Sequence, residues 1–239
     1  YDYFTQTPHD KDEPLHFLWN AKMRFGKTLS SLQVIKECQF HRTMILTHRP
    51  VVDAGWFEDF NKIFLEDNNV FRYGSKNNGF EFAELEADAR RNPKWHYVYF
   101  ASMQDLRGSE KVGGKFDKND AIFQAQWDCL IIDEAHEGTQ TQLGQSVIEA
   151  LTKPHTCTLN LSGTPFNLLD DFNEDEVYTW DYVMEQQAKQ QWDLEHFGDP
   201  NPYAGLPRLN ILTFDLGKIV GQYADVEDRA FNFKEFFRT

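Results

Sequence analysis

The chain has 239 residues, with 24 Lys and Arg against 38 Asp and Glu, a net charge of −14 and 41% hydrophobic residues. That length and apolar content suit one α/β domain with a tail, or one and a half domains, with enough material for a sizeable core. The acidic balance argues against a general nucleic-acid binder. No apolar run approaches the ~18 residues of a membrane span, so no membrane partner is expected.

Residues 1–14 are polar, with Pro8 and Pro14, and read as an irregular lead-in. The start, Tyr1 onward, has neither the basic region nor the apolar core of a signal peptide. It also lacks an initiator methionine, as expected of an excised or processed piece. Cys38, Cys129 and Cys157 show no paired spacing and no zinc pattern. Cys129 and Cys157, in apparent strands, read as buried small hydrophobes of a reducing compartment, and a cytoplasmic location is expected.

Residues 15–19 form an apolar run that reads as a buried strand, and Leu29, Leu32, Val34 and Ile35 begin a helical pattern. Between them lies Ala21, Lys22, Met23, Arg24, Phe25, Gly26, Lys27, Thr28. Strand, glycine-containing loop, Lys-Thr and helix is the arrangement of a phosphate-binding loop, or Walker A motif. Its backbone N–H groups and the positive end of the helix dipole face one point, where an anion fits. Lys27 would reach the β- and γ-phosphates of ATP, and the Thr28 hydroxyl would hold Mg²⁺. The usual first glycine is Ala21, and Arg24 stands where many such loops have a second glycine. The bland alternative is a plain turn into a helix with Lys27 solvated.

Residues 43–47 read as a second strand ending at His48, Arg49 and Pro50, with Pro50 at a helix start. Val52, Trp56, Phe60 and Phe64 keep helical spacing. A short strand over 70–73, a turn at 76–79, a charged helix over 80–91 and a β-prone run over 95–100 follow. Residues 107–120, rich in glycine and charge, read as a mobile loop. Residues 129–132 form an apolar run typical of a central parallel strand, ending in Asp133, Glu134, Ala135 and His136. Acids at the carboxyl end of such a strand sit where open α/β sheets bind ligands. Asp133 can hold Mg²⁺ and Glu134 can deprotonate the attacking water. A helix over 139–151 and a strand over 156–161 lead to Ser162, Gly163, Thr164 and Pro165. Beyond 166 the chain is acidic, then helical over 181–195, broken by prolines, with a last strand over 210–215 and an aromatic end over 231–237.

Three of these stretches together resemble the first RecA-like lobe of a superfamily 2 helicase or translocase, most of all the motor subunits of restriction enzymes. Residues 21–28 match motif I, 133–136 match motif II as DEAH, and 161–165 match motif III. The resemblance implies an α/β RecA-like P-loop NTPase fold, a three-layer sandwich around a mainly parallel sheet. It implies a lead-in over 1–14, an ATP-binding lobe over 15–168 and an extension over 169–239 toward a second lobe. By the same resemblance Thr47, Arg49 and Pro50 form motif Ia and contact nucleic acid. Ser102 and Gln104 are further nucleic-acid contacts, or Ser102 is a helix N-cap. His136, Ser162 and Thr164 would sense the γ-phosphate and relay the state. DNA is the implied nucleic acid, and nuclease or methyltransferase subunits are possible partners, since no nuclease signature is evident here. Residues 22–49 hold six Lys and Arg against one acid, Glu37, which suggests a basic track on an acidic body. No arginine-finger segment is evident, so hydrolysis is expected to need the second lobe. A nucleotide kinase would need an Arg-rich lid that is not evident. A nucleotide- or DNA-binding regulatory scaffold without motor activity stays open.

Overall fold

The computed structural model describes residues 1–8, 13–115, 117, 119–138, 141–206 and 210. In chain order the elements are α1 (Asp2–Gln6), β1 (Leu15–Ala21), α2 (Lys27–Cys38), β2 (Arg42–Thr47), α3 (Asp53–Ile63), β3 (Phe71–Gly74), α4 (Phe82–Arg91), β4 (His96–Ser102) and α5 (Met103–Leu106). Then come α6 (Asp120–Gln124), β5 (Cys129–Asp133), α7 (Ala135–Gly138), α8 (Gln142–Leu151), β6 (Cys157–Ser162), β7 (Val177–Trp180) and α9 (Tyr182–Glu195). The expected strand over 210–215 and the aromatic end over 231–237 fall outside the described residues. Residues Tyr1–Asn201 make one compact unit and Pro202–Thr239 a second, of which residues 202–205 form turns.

The seven strands form one sheet in the order β3-β4-β2-β5-β6-β1-β7, and each neighbouring pair is parallel. The central strands are buried along nearly their whole length, because helices cover both faces. Alternation sends Met44, Leu46, Tyr97, Tyr99 and Leu130 to one face, where Phe82, Leu85, Trp127, Val147 and Leu151 cover them. Ile45, Val98, Phe100, Ile131 and Leu159 turn to the other face, against Leu32 and Ile35 of α2 and Trp56 and Phe60 of α3. Helices on both faces of one sheet make a three-layer α/β architecture with the RecA-like fold.

Several local expectations change. The lead-in is partly ordered: α1 sets Tyr3 and Phe4 against Phe17, with ring centroids 4.8 and 6.3 Å away. Residues 107–115 carry local structure of their own. The Ser109 hydroxyl caps a 3₁₀ turn over Glu110–Val112, and Val112 joins the core. Backbone also crowds there: a Cβ on Gly114 would lie 2.3 Å from the Gly108 carbonyl. The segment after 168 contributes β7, which extends the sheet beside β1, and α9, capped by the Asp181 side chain.

Candidate functional site

Parallel strands all point their carboxyl ends one way, so each motif arrives at the same edge of the sheet. Residues 21–28 leave β1 and enter α2. Gly26 caps that helix at φ 92 and Arg24 lies at φ 67, so the loop reverses twice within three residues. Phe25 turns toward the sheet edge, with Trp19, Tyr178 and Trp180 at centroid distances of 6.2, 6.0 and 5.9 Å. Met23 is exposed. Lys22 is tied to the far side of the loop: its N–H donates to the Trp180 carbonyl at 3.0 Å. Its Nζ lies 2.6 Å from Oε2 of Glu185 on α9, which is 1% exposed. That contact is Coulombic, since neither Glu185 oxygen is hydrogen-bonded among the described residues.

The Lys27 ammonium folds onto its own loop, donating to the Ala21 carbonyl at 2.7 Å and reaching the Lys22 carbonyl at 3.4 Å. Burial lowers its pKa, and the nearby Glu134 and Asp133 carboxylates pull it back up. Gly163 faces this spot: a methyl there would lie 3.6 Å from the Ala21 carbonyl, 3.9 Å from Lys27 Nζ and 4.0 Å from Met23 N. Glycine keeps the space in front of the loop open.

Asp133 ends β5, and burial raises its carboxyl pKa, against the opposing effect of the Trp56 indole N–H. Trp56 Nε1 donates to Asp133 Oδ2 at 3.3 Å and the Glu134 N–H to Oδ1 at 3.1 Å. Glu134 itself sits at φ 51, left-handed backbone for a side chain with a Cβ. His136 Nδ1 lies 2.8 Å from Ser162 Oγ and 3.6 Å from Glu134 Oε2. Thr164 joins this group through its backbone N–H, 3.2 Å from Ser162 Oγ, while its own residue is exposed. Among the described residues no cluster of three or more His, Cys, Asp or Glu could hold a metal by itself. The oxygen donors of Thr28 and Asp133 suit a hard cation that shares its other positions with phosphate and water.

On the other half of the sheet the sites predicted for nucleic acid divide. Arg49, Pro50 and Gln104 are exposed. Thr47 is 1% exposed and accepts the Arg49 N–H at 3.1 Å, so its hydroxyl shapes the turn and does not face outward. Ser102 is placed in the same way. It is 1% exposed and is the N-cap of α5, accepting from Asp105 N at 3.2 Å and donating to Asp105 Oδ2 at 2.7 Å. Of the two readings open for Ser102, the cap is the one the fold uses. The basic track is also largely neutralised. Lys22 pairs with Glu185, Lys36 with Asp67, Arg42 with Glu86 and Arg49 with Glu137. Trp56, Glu137 and Glu185 were not singled out in the sequence as site residues. Trp56 looked like one more apolar helix position, and the partners of the other two lie far off in sequence.

The architecture defines a RecA-like α/β lobe with its site at the strand carboxyl ends. Residues 13–167 match the family described as Type III restriction enzyme, res subunit, nearly two thirds of the chain, and the chain belongs to that family. A curated relative, a putative type II restriction enzyme and methyltransferase of Mycoplasma pneumoniae, is 26% identical over 91% of this chain. The chain spans 34% of that relative's length. Among solved structures, the Sulfolobus solfataricus SWI2/SNF2 ATPase core in complex with dsDNA is 18% identical, over 66% of this chain and 29% of that one, with a TM-score of 0.45. The UvsW helicase from bacteriophage T4 is 16% identical, over 69% of this chain and 54% of that one, with a TM-score of 0.44. No helix among the described residues is long and apolar enough to cross a membrane.

Proposed function

We propose that this chain is the ATP-binding lobe of an ATP-driven DNA translocase or helicase of a restriction-modification-like system. The observation that carries the reading is the convergence of Lys27, Asp133, Glu134 and the His136–Ser162 contact at the ends of three neighbouring strands, β1, β6 and β5. Lys27 would leave the Ala21 carbonyl for the β- and γ-phosphates, and the backbone N–H groups at the start of α2 would complete the cradle. Thr28 and Asp133 would hold Mg²⁺, which when bound offsets charge on the transferring phosphoryl group. Glu134 would take a proton from the attacking water. His136, through Ser162 and the Thr164 N–H, would link that carboxylate to the loop after β6. An open apolar cleft of about 500 Å³ beside Phe25, lined also by Tyr3, Trp19 and Tyr178, suits a nucleobase. A second lobe would supply the arginine finger, worth about a thousandfold or more in rate.

The test is titration of the chain with a fluorescent ATP analogue, with and without Mg²⁺, beside Lys27→Ala. Mg²⁺-dependent binding that the variant loses supports the reading, and equal binding by both proteins defeats it. In the full-length protein, Glu134→Gln should bind ATP without turning it over. A regulatory scaffold is the second reading, favoured by the pairing of the basic track with acids. It predicts that the full-length protein binds nucleotide yet hydrolyses none when DNA is added.

A further inference from the structure

The loops that follow β2 and β5 meet in one ion pair. Arg49 places Nε 3.2 Å and Nη2 2.5 Å from the two carboxylate oxygens of Glu137. A guanidinium fork grips a carboxylate and a phosphate in the same two-pronged way, so one occupant excludes the other. Glu137 is tied in turn to the catalytic turn, its N–H donating to the Glu134 carbonyl at 2.8 Å. That bond closes on the left-handed backbone of Glu134, a conformation that persists only where the surroundings enforce it. The two loops also start side by side, since Thr47 and Asp133 are register partners. Of the paired cations in residues 22–49, Arg49 has its acid on the loop that carries Glu134. Lys36, Arg42 and Lys22 find theirs elsewhere.

We propose that Glu137 is a positioning residue that reports nucleic-acid engagement to Glu134: paired with Arg49 it holds Glu134 in its resting turn, and a nucleic-acid phosphate that takes Arg49 releases it. This rests on the reading above, in which Arg49 meets a phosphate and Glu134 activates water. Both partners are partly exposed, at 56% and 34% of their side-chain surface. A pair so exposed is weakly held, and a phosphate can displace it. A well-buried pair would resist such exchange. The turn around Glu134 then loses its outer tether, and its strained backbone is free to reset.

The experiment uses the full-length protein, with ATP hydrolysis measured with and without double-stranded DNA and DNA affinity measured by fluorescence anisotropy. Wild type is compared with Glu137→Gln, Arg49→Gln and the double variant. Glu137→Gln should raise the DNA-free kcat, lower the ratio of DNA-stimulated to DNA-free rate, and tighten DNA binding by about two- to fivefold, the gain from freeing a weakly held group. Arg49→Gln should weaken DNA binding yet also raise the DNA-free kcat, and the double variant should hydrolyse no faster without DNA than either single one. Surface charge alone predicts opposite signs for the two single variants. A Glu137→Gln protein with wild-type DNA-free kcat and stimulation ratio overturns the proposal, as do DNA-free kcat values that move in opposite directions in the two variants. A wild type that hydrolyses no ATP even with DNA overturns the functional reading and this inference together.

Discussion

The 21–28 loop follows a path that glycine would favour at residue 24, but the residue there is arginine. At φ 67 the Cβ of Arg24 costs about 1–2 kcal/mol. Glycine would remove that cost and return about 0.5–1 kcal/mol to the unfolded chain as added freedom. Arg24→Gly should therefore stabilise the fold by about 0.5–1 kcal/mol, a rise of about 1–4 °C in midpoint for a domain of this size. Arg24→Ala keeps the Cβ and should leave the midpoint near wild type. Gly26→Ala is the converse. The added Cβ meets nothing within 4 Å, so its cost at φ 92 is conformational, about 1–2 kcal/mol, and the midpoint should fall. Thermal unfolding of the three variants, with analogue affinity measured on the same samples, makes the comparison. If Arg24→Gly and Arg24→Ala shift the midpoint equally, side-chain contacts rather than backbone strain govern position 24 and the reasoning is wrong. Analogue binding should survive Arg24→Gly, because the loop already has the shape that glycine allows.

Trp56→Phe keeps the ring in the core and removes the N–H that reaches Asp133. A hydrogen bond to a charged group is worth about 1.5–3 kcal/mol, so the Mg²⁺ needed for half-maximal analogue binding should rise about tenfold or more, as read by Mg²⁺ titration. Lys22→Met would leave Glu185 buried without its cation, a loss of about 3–5 kcal/mol in urea unfolding, and adding Glu185→Leu should restore most of it. Glu86 is desolvated, which raises a carboxyl, but hydrogen bonds from Arg42, Tyr97 and Arg90 outweigh this and hold it below its ordinary 4.5. A carboxylate lowered by folding contributes stability that is present above its unfolded pKa and lost as pH falls through the folded one. Glu86→Gln should accordingly flatten the fall in stability from pH 4.5 downward, in unfolding curves taken across that range.

The sequence was most legible where burial on both faces forces continuous apolar runs. Residues 43–47, 129–132 and 156–161 read as strands for that reason, and the chemistry-bearing residues stand where those runs stop. Edge elements were less legible. Val177, Tyr178, Thr179 and Trp180 are part-exposed or exposed, so β7 has no such run, and its partner β1 lies about 160 residues earlier. Partners distant in sequence hid the electrostatics as well. Residues 22–49 look basic because their neutralising acids, Asp67, Glu86, Glu137 and Glu185, come from four later segments. Ser102 shows a third limit. A serine at a strand end is equally a cap or a contact until burial is known, and here the hydroxyl is turned inward.

The strand that carries the 21–28 loop is an inner strand only because β7 lies beside it. A polypeptide cut at residue 167, where the family match ends, would turn β1 into a bare edge with unpaired N–H and C=O groups, an invitation to pair with another copy. The same cut would remove Trp180, which accepts the Lys22 N–H, and Glu185, which neutralises its side chain. The smallest piece fit for nucleotide-binding work therefore extends through α9.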